Sequence, residues 1–230
     1  MRKTKFFAAL CCTAMLFAAC EKSEPTNNNS SKDQTIFTGT ENGYEWVDLG
    51  LSVKWATCNV GATKPEEYGN YYAWGETTSK DDYSWETYKF GTYNDDYNYS
   101  KLTKYNETDG KTILEAADDA ATQNWGSNWR MPTIEEWQEL INNCTWTWTA
   151  LNGVNGYQVK ASNGKAIFLP AAGYRDRDAL SDAGSYGNYW SSSLNTGTPH
   201  GAQHVYFISC YHCKGYGYRD SGHSVRPVCK

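Results

Sequence analysis

The clearest local signature in the sequence is a helix start at Thr133. Pro132 precedes it and Glu136 follows three residues on, so hydroxyl and carboxylate can each satisfy an orphan backbone amide as a capping box. Trp137, Leu140, Ile141 and Cys144 then recur at i, i+3, i+4 and i+7 and give the helix one apolar face. That reading makes Cys144 a packed thiol or a disulfide partner. An amphipathic helix must lie on something, and the flanking sequence offers short β segments. Residues 44–47 and 53–56 read as strands around the Asp48-Leu49-Gly50 turn. Residues 157–161 and 166–169 flank Ser162-Asn163-Gly164-Lys165, a good hairpin turn. Residues 113–121 read as a second, short helix, and residues 64–106 as an aromatic, acidic, glycine-punctuated loop region. Residues 204–209 and 224–228 read as strands, with 210–222 as a looped excursion between them. The expected class is α+β, with short antiparallel strands, two helices and long loops.

The amino-terminal end divides the chain into three parts. Residues 1–20 carry Arg2, Lys3 and Lys5, an apolar run over 6–19, and Cys20 after Ala18-Ala19. A basic start and a short apolar core describe a secretory signal peptide, too short for a spanning helix of ~20 residues. Cysteine after Ala-Ala resembles the lipobox of bacterial lipoproteins, which implies a lipid anchor on Cys20 and attachment to a membrane. Residues 21–40 have almost no apolar content and read as a flexible tether. Residues 41–230 are aromatic throughout and long enough for one domain with a sizeable core. Removing 1–20 changes the charge to (21 − 3) − 26 = −8. An acidic chain without Lys/Arg clusters has no electrostatic footprint for nucleic acid. Glu21 and Glu24 resemble the acidic tag of lipoproteins sent to the outer face of the outer membrane, with the periplasmic face as the alternative.

The last 31 residues, from His200, hold all four histidines and Cys210, Cys213 and Cys229. Tyr206, Tyr211, Tyr216 and Tyr218 are interleaved with them. As a contact surface, tyrosine supplies large amphipathic area at low entropic cost, while Ser, Gly and Asp add adaptable hydrogen bonding. The candidate contact residues are His204, Tyr206, Ile208, Tyr211, His212, Tyr216, Tyr218, Asp220 and His223. Strand alternation puts His204, Tyr206 and Ile208 on one face, read as facing ligand, and Val205 and Phe207 on the other, read as core. The opposite register exchanges these roles, and packing of the tyrosines against the domain's own loops is the plainer reading. As a metal site, Cys210, His212, Cys213 and His223 could offer a Cys₂His₂ set, but a second half-site of regular spacing is missing. The expectation is no metal and no cofactor. No Gly-x-Ser-x-Gly, His-Glu-x-x-His or Gly-rich phosphate motif occurs. Acidic pairs such as Asp81-Asp82 and Asp95-Asp96 are weak evidence for calcium, which needs a closed oxygen cage. Without Cys20, five cysteines remain from Cys58 onward, and Cys58 and Cys229 are candidates for a bridge across the two ends.

Several motifs occur together in order: Val47-Asp48-Leu49-Gly50-Leu51-Ser52-Val53-Lys54-Trp55-Ala56, Tyr72-Ala73-Trp74-Gly75-Glu76, Trp129-Arg130-Met131-Pro132-Thr133, Phe168-Leu169-Pro170-Ala171-Ala172-Gly173-Tyr174-Arg175, Tyr189-Trp190-Ser191-Ser192-Ser193 and Ser224-Val225-Arg226-Pro227-Val228. Over roughly 44–229 this resembles the Fibrobacter succinogenes major paralogous domain family. The Trp129–Trp137 portion also resembles the formylglycine-generating-enzyme branch of the C-type lectin fold. The resemblance implies a C-type-lectin-like domain whose two ends pair in one sheet, with Trp46, Trp55, Trp129, Trp137 and Trp190 in the core. It further implies a surface lipoprotein binding a protein or glycan, in a group that includes targets of diversity-generating retroelements. Such systems randomise asparagine codons, and from His200 to His223 only Gln203 and Lys214 lie outside the residues those codons can reach. The chain has no asparagine after Asn195. The alternative function is a formylglycine-generating-type oxidase, or a metal protein, using Cys210 and Cys213. Their Cys-x-x-Cys spacing is shorter than in those oxidases.

Overall fold

A computed structural model describes residues 38–91 and 101–230. The leader, Cys20, the tether up to residue 37 and the Asp95-Asp96 pair lie outside the described residues. In chain order the first strands are β1 (Gly39–Glu41), β2 (Tyr44–Val47), β3 (Lys54–Ala56) and β4 (Tyr71–Tyr72). Next come α1 (Ala120–Trp125), β5 (Trp129–Arg130) and α2 (Ile134–Asn143). Then follow β6 (Cys144–Leu151), β7 (Val154–Ala161), β8 (Ala166–Pro170), β9 (Tyr174–Asp176) and β10 (Ala179–Ser181). The chain continues through β11 (Gly187–Leu194), β12 (Gly201–Ile208), β13 (Tyr211–Tyr218), β14 (His223–Ser224) and β15 (Val228–Cys229). The class is α+β, mostly sheet, with two α-helices among the described residues.

One five-stranded sheet runs β1-β2-β3-β15-β5 and a second runs β13-β12-β11-β14-β4. The remaining strands form the three-stranded β6-β7-β8 and the β9-β10 hairpin. The two ends of the described chain meet in the first sheet, where Val228 stands opposite Trp55 on one side and Arg130 on the other. α2 packs on β11, β12 and β13. Its capping box is complete: Glu136 N donates to Thr133 Oγ1 (3.3 Å) and Thr133 N to Glu136 Oε2 (2.8 Å). The same carboxylate takes a forked pair of bonds from Arg130, at 2.7 and 2.5 Å.

Two apolar clusters fill the interior. One gathers Trp74, Trp125, Trp129 and Trp190. The other joins Trp55, Trp137, Leu140, Val159, Ile167, Tyr189, Phe207 and Val228. Buried indoles need acceptors: Trp74 Nε1 donates to Ser191 O (2.8 Å), Trp190 Nε1 to Tyr72 O (2.7 Å) and Trp137 Nε1 to Trp190 O (3.2 Å). Trp46 is half-buried rather than core, with the Lys54 ammonium 4.6 Å over its ring. Arg226 is fully buried, and among the described residues it has no carboxylate partner. Its guanidinium instead donates to Asn59 Oδ1 (2.9 Å) and to the carbonyls of Ala56 (3.0 Å), Thr57 (2.8 Å) and Phe168 (2.9 Å).

Several expected elements are shifted. Instead of a helix over 113–121 there is a 3₁₀ turn (Ala116–Asp118) followed by α1. Asp119 sets that start, because one carboxylate oxygen accepts from Thr122 N (3.0 Å) and the other from Met131 N (2.8 Å). Cys144 is not on the helix face but opens β6, since an extended backbone there ends α2. The expected strand over 224–228 is two strands, β14 and β15, in different sheets. The looped excursion over 210–222 is mainly β13, paired with β12 over eight consecutive positions.

Candidate functional site

The β12–β13 hairpin carries most of the candidate contact residues, and its register decides where each one points. Opposite residues share a face in an antiparallel pair. Val205 and Phe207 are fully buried, the orientation expected for them. His212, Lys214, Tyr216 and Tyr218 share their face, because they stand opposite Phe207, Val205, Gln203 and Gly201. His204, Tyr206 and Ile208 share the other face with Gly215, Cys213 and Tyr211.

The nine candidates split by exposure. Tyr211, Tyr216 and Tyr218 are 50, 65 and 54 % exposed. Tyr206, Ile208 and His212 are half-buried. His204, Asp220 and His223 are buried, which removes them as freely exposed contact residues. The two histidines form a pair with Nδ1···Nδ1 at 3.3 Å, and His223 stacks on Trp190 with ring centroids 3.9 Å apart. Gly215 and Gly217 make this possible. A Cβ at Gly215 would stand 2.9 Å from His204 Nε2, and one at Gly217 3.2 Å from His223 Cε1. The glycines that suggested a loop therefore admit rings from the neighbouring strands.

The electrostatics follow burial. Burial pushes the His204 imidazole down to about 4. It also holds His223 well below its ordinary value, with His204 as the second cause. His212 is lowered by burial and lies flat on Trp146, with centroids 4.5 Å apart. A hydrogen bond to Cys213, then burial, raises the Tyr206 hydroxyl above its usual range. Tyr206 also stacks on Tyr186 at 6.0 Å. Burial pushes the Asp220 carboxyl up to about 7, with Asp176 and Glu86 adding to it. Among the described residues, Asp220 Oδ1 has no hydrogen-bond partner.

The turn bearing Asp220 is firmly held. Arg219 is fully buried and donates to Tyr88 Oη (2.8 Å) and to the carbonyls of Tyr105, Pro199 and Lys104, each at 3.1 Å. Its guanidinium lies 4.9 Å from the Trp74 ring centroid.

All five cysteines among the described residues are free thiols, so Cys58 and Cys229 are not bridged. Cys229 faces Lys54 across β3, while the Cys58 thiol turns to Ala62 O at 3.4 Å. Cys210 sits exposed in the hairpin turn and Cys213 three residues along the extended chain. Three extended residues reach about 10 Å, beyond the roughly 7 Å within which two cysteines can bridge without backbone movement. Among the described residues no group of three or more His, Cys, Asp or Glu side chains is placed to hold a metal ion. Two clefts of about 370 and 320 Å³ share Ser127 and Arg130 and include none of the nine candidates.

Sequence reasoning did not anticipate Tyr186, Trp146 and Tyr174, whose rings support Tyr206, His212 and His223. Nor did it find Lys80, Glu86 and Asp176 around Asp220. All of these are brought in by sheet pairing and loop packing, and no local spacing announces them. A scan against protein-family models, a search of curated proteins and a search of solved structures each found no match.

Proposed function

We propose that this chain is a lipoprotein, anchored through Cys20 in the outer membrane and facing outward, that recognises a cell-surface protein or glycan through β13. The observation that carries this reading is the concentration of exposed apolar area on one strand. Of the five large hydrophobic side chains exposed among the described residues, three are Tyr211, Tyr216 and Tyr218. Scattered exposed hydrophobes need no explanation, but three on one edge strand do, with Tyr216 and Tyr218 together on one face and Tyr211 on the other. Each tyrosine offers a flat apolar ring and a hydroxyl, so recognition proceeds by shape and hydrogen bonding, without bond chemistry.

The C-type-lectin-like scaffold and kinship with the Fibrobacter succinogenes major paralogous domain family belong to the same proposal. Insertion of β15 between β3 and β5 supports it, because the resemblance implies a domain whose ends pair in one sheet. Diversification by a retroelement fits the three tyrosines, which lie in a segment where only Gln203 and Lys214 fall outside the residues such systems reach. Separation of Cys210 from Cys213 favours binding over a thiol-based oxidase or a thiol metal site.

The test is a screen of the intact protein against glycan arrays and cell-surface proteins. A variant carrying serine at Tyr211, Tyr216 and Tyr218 is run beside it. The expected result is loss of every specific interaction with the fold retained by circular dichroism. Interactions that survive the triple substitution unchanged would overturn the assignment.

A further inference from the structure

The two clefts meet at Arg130, and no residue of the tyrosine strand lines either of them. One, of about 370 Å³, is bounded by Glu41, Asn128 and Lys230. The other, of about 320 Å³, is bounded by Ile113, Met131 and Thr133. Ser127 and Arg130 are common to both. Each volume falls within the roughly 300–1,000 Å³ of small-molecule sites.

A guanidinium carries five N–H donors in one rigid plane. In Arg130, Nη1 uses both of its own, on Met131 O (3.1 Å) and Glu136 Oε2 (2.7 Å), and Nη2 uses one, on Glu136 Oε1 (2.5 Å). The remaining pair, Nε–H and the second Nη2–H, lie side by side on the edge away from Nη1 and point the same way. They form a second fork, the geometry that takes a carboxylate through two parallel bonds. No group among the described residues fills it. The side chain is 36 % exposed and lines both clefts. Glu136, itself fixed by the capping box, holds the guanidinium in place, so a ligand meets a preset fork.

The surroundings narrow the ligand. Thr133 Oγ1 accepts from Glu136 N, which leaves its own proton to donate. Ser127 and Asn128 are exposed and add a hydroxyl and an amide. Ile113, 43 % exposed, gives the second cleft an apolar wall. Glu41 and Asp119 place carboxylates in the lining, so a single negative charge suits the clefts better than the two of a phosphate. A molecule with one carboxylate, a ring of hydroxyls and an apolar face matches this set. We propose that the joined clefts bind an acidic sugar, its carboxylate on the Nε/Nη2 fork of Arg130, its hydroxyls on Ser127, Asn128 and Thr133, and its C–H face on Ile113. This site goes beyond the reading of β13 as a contact strand, and neither depends on the other.

Methyl β-D-glucuronide is the probe, with uncharged methyl β-D-glucoside and sodium acetate as controls, each titrated into the whole protein and followed by NMR shifts. The expected result is saturable binding of the glucuronide, at least roughly tenfold weaker for either control, because each lacks one part of the contact set. Arg130→Lys keeps the charge but loses the fork, and should weaken the glucuronide by a similar factor. Arg130 also bonds Glu136, so a second variant guards against a folding defect. Ser127→Phe puts a ring where the clefts meet, from an exposed position, and should abolish binding with the fold retained by circular dichroism. The triple serine variant of Tyr211, Tyr216 and Tyr218 should bind the glucuronide as the unsubstituted protein does. No binding, equal binding of glucuronide and either control, binding that survives Ser127→Phe, or loss of binding in the tyrosine variant would overturn the site. Capture of a partner through β13 alongside a silent glucuronide sinks the sugar site and leaves the strand assignment standing.

Discussion

Two kinds of buried titratable group oppose each other around the β13–β14 turn, and their pH signatures can be separated. His204 and His223 are held neutral, with His204 pushed down to about 4. An unfolded imidazole binds a proton near 6.5, so the pair contributes stability that is full above that value and lost as pH falls towards 4. Asp220 has the reverse sign. Its carboxyl is raised to about 7, so folding is favoured while it holds its proton and disfavoured as pH climbs from about 4 through 7. Asp220→Asn should therefore raise the unfolding free energy at pH 8 by on the order of 2–4 kcal/mol, an advantage that shrinks towards pH 4. In that variant the buried histidines, with His212 adding in the same direction, set the trend, and urea midpoints should fall steadily from pH 6.5 to pH 4. A flat profile, or no gain at pH 8, would show that these side chains are better solvated than their burial implies.

At the scale of elements, the second half of β13 alternates exposed tyrosines, Tyr216 and Tyr218, with Gly215 and Gly217, whose Cβ positions are crowded by neighbouring rings. Gly217→Val would drive a side chain into the His204–His223 pair, where even a Cβ stands 3.2 Å from His223 Cε1. Overpacking of this kind costs roughly 1–3 kcal/mol, whereas Tyr216→Ser, on an exposed ring, should stay within about 0.5 kcal/mol. Thermal midpoints of the two variants give the comparison, and equal losses would refute the distinction. The same strand shows what the sequence could reveal. α2 was legible because Thr133, Glu136 and the Trp137–Leu140 spacing all act within a few residues. The β7–β8 turn was legible because Asn163 and Gly164 fix it locally, with Gly164 at φ 83°. β6 was overlooked although Thr145 to Thr149 alternates and Asn152-Gly153 turns at φ 50° and 84°; that signal was present and local. β13 was different in kind. Its glycines read as loop residues, and the rings that require them come from β12 and β14.

The whole molecule is held by side chains that join distant segments, and these are the part least visible from local pattern. Arg226 ties β8, the end of β3 and the residues after it to the carboxyl-terminal stretch, with four acceptors and no counter-ion among the described residues. Arg226→Met would strand those acceptors, each worth about 1–3 kcal/mol when buried unpaired. The expected loss is at least roughly 3 kcal/mol by urea unfolding at pH 7, and a loss below about 1 kcal/mol would contradict the clamp. The motif Ser224-Val225-Arg226-Pro227-Val228 drew notice as a pattern, yet its physical job became clear only once the fold placed it. The α+β class was legible from strand-like and helix-like segments, while the assignment of strands to sheets was not, because β14 and β15 lie only three residues apart yet join different sheets.

Strand β15 fills the middle of its sheet, between β3 and β5. A ribosome still holding residue 229 therefore grips a chain whose first sheet is split, with the Trp55 and Arg130 strands facing each other across an empty lane. Maturation in time, like architecture in space, waits on a two-residue keystone.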